Sequence, residues 1–177
     1  MRKVLIVIDM QKDFIDGALG TREAEAIVPA VLRKIRSYDP ADVYATRDTH
    51  PDDYLATQEG KKLPVVHCVK GTPGWEIRPE IQALIPEDHI IDKPSFGSLE
   101  LADRMRALAS EGEIEIELVG LCTDICVVSN ALILKAVLPE TPVSVDPACC
   151  AGVTPAAHQA ALATMASCQV EIEGTAV

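Results

Sequence analysis

The sequence predicts an α/β fold: a three-layer α/β/α arrangement around a mainly parallel, six-stranded sheet. Short aliphatic runs of strand length alternate along the chain with longer segments whose apolar residues recur at helical spacing. This alternation is typical of parallel strands joined by right-handed helical crossovers, which place helices on both faces of the sheet. The 177 residues contain no internal repeat, low-complexity tract or linker, so we expect one domain over residues 1–177.

The first part of the chain predicts two strands, one helix and a long loop. Residues 4–8 form a continuous aliphatic run, as expected for a strand buried on both faces. Apolar residues at helical spacing predict a helix over 22–38, and a second strand follows at 42–46. Residues 47–74 are polar, contain Pro and Gly and show no period, which predicts a loop. A loop of this length in a compact domain is usually functional.

The rest of the chain repeats the alternation of strands and helices. A short helix is predicted over 76–84, before the third strand. The same patterns predict strands at 89–92, 114–120, 142–145 and 170–172, and helices at 99–109, 124–137 and 155–167. With the two earlier strands, this gives the six strands of the predicted sheet.

Composition and charge exclude several classes of protein. Hydrophobic residues make up 48% of the chain, which excludes intrinsic disorder, and aromatic residues only 3%, which predicts an aliphatic core. The net charge of −11 repels phosphates, and no basic cluster offsets it, so we expect no nucleic-acid partner. No apolar run approaches the roughly 20 residues of a membrane span, and the run at 4–8 is too short for a signal peptide. We therefore expect a cytoplasmic protein without a membrane partner.

Three residues that can carry chemistry lie at the carboxyl ends of predicted strands, where α/β sheets bind ligands. Asp9 ends the first strand, Lys93 follows the third, and Cys126 lies after the fourth, in the first turn of a helix. A helix N-terminus favours a thiolate, and its backbone N–H groups can bind an oxyanion. Taken singly, the three have ordinary alternatives: a helix cap, a solvated lysine and a buried core thiol. Together at one edge of the sheet they favour a nucleophilic site.

A possible metal site follows the second predicted strand. Asp48 and His50 flank one residue, so in an extended segment their side chains point the same way, and His67 could close the site from across the long loop. Two imidazoles and one carboxylate can hold a divalent ion and leave positions open for water or substrate. The alternative is that these groups only order the loop by hydrogen bonding. His89 and His158 fall on predicted elements and are interpreted as structural.

Several motifs resemble the isochorismatase-like cysteine hydrolases, a superfamily that includes nicotinamidases and pyrazinamidases. The motifs occur in the order of that family and extend from residue 4 to beyond residue 160: Asp-Met-Gln-Lys-Asp-Phe at 9–14, Thr-Arg-Asp-Thr-His-Pro at 46–51, His-Cys-Val-Lys-Gly-Thr at 67–72, Lys93, and Cys-Thr-Asp-Ile-Cys-Val at 122–127. The segment at 146–152 is similar to the closing strand and turn of the family.

The resemblance implies a hydrolase that cleaves a small amide through a thioester intermediate. It implies a catalytic triad of Asp9, Lys93 and Cys126. It also implies a cis peptide bond between Leu121 and Cys122, and an oxyanion hole formed by the backbone N–H groups of Cys122 and Cys126.

The resemblance further implies a ligand set and an assembly. A divalent metal, commonly zinc in this family, would bind Asp48, His50 and His67, and Phe14 would pack on the substrate. Members of the superfamily usually form homo-oligomers, so a homo-oligomer is expected.

The chain departs from the nicotinamidase subgroup at two positions. Pro64 stands where the subgroup typically has an aromatic residue, and Tyr54 stands where it often has a further histidine. One wall of the usual ring sandwich is therefore missing. Trp75, just past the long loop, is predicted either to line the pocket or to fill the core.

Three alternatives to an amidase are open at this point. The first is an isochorismatase-type hydrolase of an enol ether, which needs no metal; Cys126 and the possible metal site both favour the amidase branch. The second is a non-catalytic metal- or ligand-binding protein, in which Cys126 would be incidental. The third is a dinucleotide-binding oxidoreductase, but no Gly-x-Gly-x-x-Gly motif follows the first strand.

Overall fold

The computed structural model describes residues 1–174 and places six parallel strands in one sheet. The strands are β1 (Arg2–Ile8), β2 (Val43–Asp48), β3 (Ile90–Lys93), β4 (Ile114–Leu121), β5 (Val143–Ala151) and β6 (Glu171–Ile172). Their order is β3-β2-β1-β4-β5-β6, and each neighbouring pair is parallel. The order runs in both directions from β1, so the gap between the carboxyl ends of β1 and β4 is the switch point at which such sheets bind ligands.

Helices cover both faces of the sheet, as the sequence predicts. They are α1 (Lys12–Ile15), α2 (Arg22–Ile35), α3 (Gln58–Lys62), α4 (Pro79–Gln82), α5 (Leu99–Glu111), α6 (Val128–Val137) and α7 (Pro155–Ser167). The side chains of Thr21, Ser98 and Thr154 accept hydrogen bonds from the backbone N–H three residues on, and so cap the starts of α2, α5 and α7.

Alternate residues of β1 supply two separate apolar cores. Val4, Ile6 and Ile8 are buried in the core that contains residues of α5, α6 and α7. Leu5 and Val7 are buried in the other core, with residues of α2 and α4. Burial on both faces explains why β1 reads as an unbroken aliphatic run.

The long loop and strand β5 differ from the sequence prediction. The predicted loop at 47–74 contains α3 and two 3₁₀ turns, Tyr54–Ala56 and Pro73–Trp75, so that prediction was wrong in part. These short pieces show no apolar period because they are held by caps and local contacts; the Thr57 hydroxyl, for example, accepts from the N–H of Gly60. Strand β5 also continues past the predicted end at 145, because pairing with β4 resumes at Cys150 after an irregularity.

The predicted apolar helix over 124–137 begins in a different form. Thr123–Val127 is a π-helical turn, and regular α-helix begins at Val128. Single π turns of this kind are rare and occur frequently at functional sites. This one carries Cys126.

Candidate active site

Asp9 lies directly after β1 and is completely buried. Its backbone has a φ of 47°, a left-handed conformation that is uncommon outside glycine. The Thr46 hydroxyl donates to Asp9 Oδ1 at 2.7 Å, and the backbone N–H of Asp9 donates to the Thr46 carbonyl oxygen at 3.2 Å. These bonds from β2 hold the carboxylate at the switch point of the sheet.

Lys93 is the last residue of β3 and is also completely buried. Its Nζ lies 2.7 Å from Asp9 Oδ2, 3.1 Å from Asp48 Oδ1 and 3.4 Å from Cys126 Sγ, and it donates to the Ser95 carbonyl oxygen at 3.0 Å. A buried lysine is stable only when paired and hydrogen-bonded, and this ammonium meets both conditions. The acid, the ammonium and the thiol therefore meet around one nitrogen atom.

Cys126 lies in the π turn with 5% of its surface exposed, and its side chain lines a cavity. The peptide bond between Leu121 and Cys122, at the end of β4, is cis, as the family resemblance implies. Cys122 lines the same cavity. The two residues whose N–H groups the resemblance assigns to an oxyanion hole therefore border the space next to the thiol.

The three groups of the triad shift one another's pKa values. Burial raises the pKa of Asp9 above its usual value, against the opposing effect of the Lys93 ammonium. Burial and the Asp9 carboxylate raise the pKa of Cys126 well above its usual value, although Lys93 lowers it. Burial disfavours the charged form of Lys93, but the two carboxylates and the thiol raise its pKa nonetheless. The arrangement provides a protonated thiol beside a carboxylate whose proton affinity is increased.

Asp48, His50 and His67 come together beside the triad, and all three are buried. His50 Nε2 lies 2.9 Å and His67 Nε2 lies 3.9 Å from Asp48 Oδ2. His67 Nδ1 is 2.7 Å from the Val65 carbonyl oxygen, which can only accept, so Nδ1 donates to it and Nε2 is the nitrogen left to bind a metal. One carboxylate and two imidazoles whose ligand atoms lie within 4.8 Å of one another are a donor set that suits a divalent metal.

The structure adds Glu59 to this group, a residue that the sequence analysis missed. Its Oε1 lies 3.7 Å from Nε2 of both His50 and His67. Glu59 comes from α3, inside the segment predicted as loop, where no periodicity indicates the direction of its side chain. It places a carboxylate next to both histidines, beside the group formed by Asp48, His50 and His67.

Gln11 is a second residue that the sequence analysis did not single out. Its side chain is buried, donates to the Asp48 carbonyl oxygen at 2.8 Å and accepts from the Asp48 N–H at 2.7 Å. It also donates to the Trp75 carbonyl oxygen at 2.8 Å. The Gln11 amide thus fixes the backbone N–H and carbonyl of Asp48. The Asp48 side chain in turn contacts Lys93 and the two histidines.

A cavity of about 380 Å³ reaches the triad at Cys126 and the possible metal site at Asp48. Its walls are mainly apolar, and Phe14, Leu19, Leu63, Phe96 and Ile125 contribute to them. Asp48 and Cys126 also line it. Small-molecule sites are commonly cavities of roughly 300–1,000 Å³ with apolar walls and a few polar groups, so this one has the dimensions of a ligand site.

The two departures from the nicotinamidase subgroup have different surroundings. Pro64 is exposed, and it is the neighbouring Leu63 that lines the cavity. Tyr54 is fully buried, its ring packs 4.7 Å from that of His50 and 4.9 Å from that of His67, and its hydroxyl donates to the Leu63 carbonyl oxygen. An aliphatic residue therefore stands at the wall where an aromatic ring is missing.

The other side chains singled out in the sequence lie away from the cavity lining. Trp75 Nε1 donates to the Thr49 hydroxyl at 2.8 Å, and the Arg47 guanidinium lies 3.7 Å from the centre of its ring. His89 bonds to a backbone carbonyl of β2, and His158 to the hydroxyl of Thr123. These contacts agree with structural roles for both histidines.

A second acidic cluster lies on the amino-terminal side of the sheet. Lys34 Nζ is 2.5, 3.0 and 3.1 Å from its three carboxylates, which belong to Glu117, Asp146 and Glu173. An ammonium therefore already occupies the position that a metal ion would take. This cluster explains how Glu117, in the middle of β4, can be buried.

The fold and the site define a class: α/β proteins with a buried acid, ammonium and thiol at the switch point of a parallel sheet. The chain belongs to the isochorismatase family, whose domain matches residues 3–177. It is 29% identical over 190 residues to the nicotinamidase/pyrazinamidase of Mycobacterium tuberculosis, covering 96% of this chain and 97% of that protein. It is 28% identical to a nicotinamidase of Schizosaccharomyces pombe, covering 72% and 74%.

Solved structures agree with this assignment. The pyrazinamidase of Pyrococcus horikoshii in complex with zinc superposes with a TM-score of 0.79 at 30% identity, covering 97% of this chain and 98% of that one. The predicted superfamily, its nicotinamidase branch and the α/β fold are thereby confirmed. Within residues 1–174, no helix combines the length and apolar character needed to cross a bilayer.

Proposed function

We propose that this protein is a cysteine amidohydrolase that hydrolyses small, nicotinamide-like carboxamides to a carboxylic acid and ammonia. The observation that carries the proposal is the position of the Lys93 ammonium, 2.7 Å from the Asp9 carboxylate and 3.4 Å from Cys126 Sγ on the cavity wall. A base, a nucleophile and a charge that stabilises both anions are the groups that amide cleavage by a thiol requires.

The first half of the reaction forms a thioester. Asp9 accepts the thiol proton, and the Cys126 sulfur attacks the carbonyl carbon of the substrate, while Lys93 stabilises the anionic groups. The backbone N–H groups of Cys122 and Cys126 hold the developing oxyanion, and one donor of this kind is typically worth about 3–4 kcal/mol. Asp9 returns its proton to the departing nitrogen, the C–N bond breaks, and ammonia leaves.

The second half of the reaction hydrolyses the thioester. Asp9 accepts a proton from a water molecule, whose oxygen attacks the thioester carbonyl. The same two N–H groups stabilise the second oxyanion. The C–S bond then breaks, the carboxylic acid is released, and the proton returns to the Cys126 sulfur, which restores the enzyme.

We propose that Asp48, His50 and His67 hold a divalent metal, zinc, and that Glu59 belongs to the same ligand set. The residues fit: ligand atoms of Asp48, His50 and His67 lie within 4.8 Å of one another, the Glu59 carboxylate lies 3.7 Å from both histidines, and Nδ1 of His67 is already committed to a carbonyl. When bound, such an ion supplies a Lewis acid to a heteroatom of the substrate. Gln11 orients Asp48, and the Phe14 ring, 5.6 Å from that of His67, packs on the bound substrate.

An ammonia-release screen tests the proposal. Wild-type protein and Cys126→Ala are compared on nicotinamide, pyrazinamide and small aliphatic amides, with and without added zinc or manganese. Ammonia release by the wild type alone, together with a trapped thioester in mass spectra, supports the proposal. Equal release by Cys126→Ala would rule it out.

The same material separates the remaining alternatives. Isochorismate hydrolysis without amide hydrolysis and without bound metal would favour the enol-ether hydrolase. The absence of any thioester on Cys126 in mass spectra, with no turnover of any substrate, would favour a binding protein.

We also propose that the protein is one cytoplasmic domain that forms a homo-oligomer. All six cysteines are free thiols, which supports a reducing compartment. Light scattering coupled to size-exclusion chromatography measures the oligomeric state directly, and a mass equal to the 19.0 kDa chain would contradict this part of the proposal.

A further inference from the structure

Asn130 is a buried amide one helical turn after the nucleophile. It lies in α6 with 1% of its surface exposed. Its Nδ2 donates to the Cys126 carbonyl oxygen at 2.8 Å and to the Phe96 carbonyl oxygen at 3.2 Å, and its Oδ1 accepts from the Ser98 N–H at 2.9 Å. Two carbonyls require donors and one N–H requires an acceptor, so these three partners fix the orientation of the amide.

These hydrogen bonds connect the nucleophile to the 94–98 segment, which runs from Lys93 to the start of α5. Pro94, Ser95 and Phe96 of this segment line the cavity, and the Ser95 carbonyl oxygen accepts from Lys93 Nζ at 3.0 Å. The 94–98 segment therefore contributes both part of the cavity wall and a hydrogen-bond acceptor for the Lys93 ammonium. Its position relative to Cys126 sets the shape of the site.

The 94–98 segment also packs against α6. A Cβ atom added to Gly97 would lie 2.3 Å from Ile133 Cδ1 and 3.6 Å from Ser129 Cβ. Gly97 therefore packs against the end of the Ile133 side chain, and the 94–98 segment lies next to α6 at this point. Asn130 thus bridges two neighbouring surfaces.

The Cys126 carbonyl lies where the π turn gives way to regular α-helix at Val128. The Asn130 side chain supplies a donor to this carbonyl from four residues further on. Because the surroundings are buried, replacing the amide by an apolar group leaves that carbonyl, another carbonyl and one N–H without these partners. The backbone that carries the sulfur would then move to find new ones.

We propose that Asn130 is a positioning residue of the active site, which locks the backbone of Cys126 to the 94–98 segment and so fixes the sulfur against Lys93 and the Phe96 wall against the substrate. The inference rests on the proposed function for its kinetic readout. It does not rest on it for the reactivity of the thiol, which can be measured without a substrate.

The test compares Asn130→Leu, which keeps a similar volume, with Leu134→Ala, which removes a buried apolar side chain one turn further along the same helix. Both are assayed at a temperature at which circular dichroism shows them folded. For Asn130→Leu we expect kcat to fall and KM to rise, with kcat/KM reduced about 10- to 100-fold, as for other small misplacements of reacting groups. We also expect slower iodoacetamide alkylation of Cys126, because the thiolate that reacts forms less readily once the sulfur is displaced from the Lys93 ammonium. Leu134→Ala should lower the Tm and leave both rates unchanged.

A second perturbation keeps the proposal falsifiable if Asn130→Leu does not fold. Asn130→Ser keeps a hydroxyl donor for the Cys126 carbonyl four residues back and removes the two hydrogen bonds to the 94–98 segment, so it should reproduce the loss. Folded Asn130→Leu with wild-type kcat/KM and alkylation rate would overturn the proposal, as would a folded Asn130→Ser with wild-type values. If the wild type releases ammonia from no amide, the proposed function fails, and the alkylation rates alone decide the role of Asn130.

Discussion

Replacing Asp9 by Asn should separate catalysis from stability at a single position. The change removes the proposed base and keeps the shape of the side chain. The amide can turn its oxygen toward Lys93 and its nitrogen toward the Thr46 hydroxyl, which can accept as well as donate. Each neighbour of the wild-type carboxylate therefore keeps a partner in the variant.

The expected loss of activity is large. A positioned general base contributes typically about 10²- to 10⁴-fold, which corresponds to about 3–5 kcal/mol in the barrier. In the proposed mechanism Asp9 serves both halves of the reaction, so we expect the upper part of that range. Ammonia release under single-turnover and steady-state conditions measures the loss in each half.

The expected change in stability is small, and its dependence on pH follows from the pKa of Asp9. Burial raises that pKa above the unfolded value, so the carboxyl group contributes stability below its unfolded pKa and loses it as the pH rises through the folded pKa. At neutral pH the ionised group contributes little, and two carboxylates share the Lys93 ammonium. We therefore expect Asp9→Asn to change the free energy of unfolding at pH 7 by no more than about 1 kcal/mol.

The control is Asp16→Asn, the same chemical change at an exposed carboxylate that pairs with Arg78. It should leave both activity and stability near wild type. Urea denaturation followed by circular dichroism gives the stability of each variant. Asp9→Asn retaining kcat/KM within tenfold of wild type would refute the assignment of the base, and a loss of stability comparable to that of a core deletion would refute the electrostatic reasoning.

Three further predictions concern the charges, the metal and the backbone. Lys93→Met leaves buried carboxylates without their cation, so it should lower the free energy of unfolding at neutral pH by about 3–5 kcal/mol. Without the cation the carboxyl groups have raised pKa values, and such groups destabilise the folded protein as the pH rises. Urea titrations should therefore show a smaller loss of stability at lower pH. Glu59→Gln should weaken zinc binding about 10- to 100-fold, and His67→Ala should weaken it further, in calorimetric titrations of chelator-treated protein; unchanged affinity in both would exclude the site. Gly120→Ala should destabilise by about 2 kcal/mol or more, since φ is +117° and a Cβ would lie 2.1 Å from the Ile8 carbonyl oxygen; an unchanged urea midpoint would contradict this.

The triad was open to prediction from the sequence because each member ends or follows a strand. Polar residues directly after aliphatic runs are visible in one dimension, and the topology of a parallel sheet brings strand ends together. Asp48 and Lys93 are even register partners of neighbouring strands in the structure. Their proximity therefore follows from the pairing of β2 with β3.

Glu59 and Asn130 could not be found in the same way, for two different reasons. The direction of Glu59 depends on α3, a five-residue helix held by caps and by the buried Tyr54, and such a helix leaves no period in the sequence. Asn130 did leave a signal: it follows Cys126 by four residues in an apolar helix, which places both on one face. A polar side chain on the buried face of a helix needs partners, but which backbone groups supply them depends on the path of the 94–98 segment.

The Asp48 carboxylate interacts with both the triad and the possible metal site. One of its oxygens lies 3.1 Å from Lys93 Nζ, and the other lies 2.9 Å from His50 Nε2. Burial opposes ionisation of Asp48, but His50 and Lys93 lower its pKa, so it is charged. Asp9 and Asp48 then share one ammonium, and Glu59 adds a further negative charge beside the histidines. A divalent cation at the histidines would offset this excess and leave Lys93 free to serve Asp9 and Cys126. The charge balance of the triad therefore gives a reason for a metal in this chain that does not depend on the substrate.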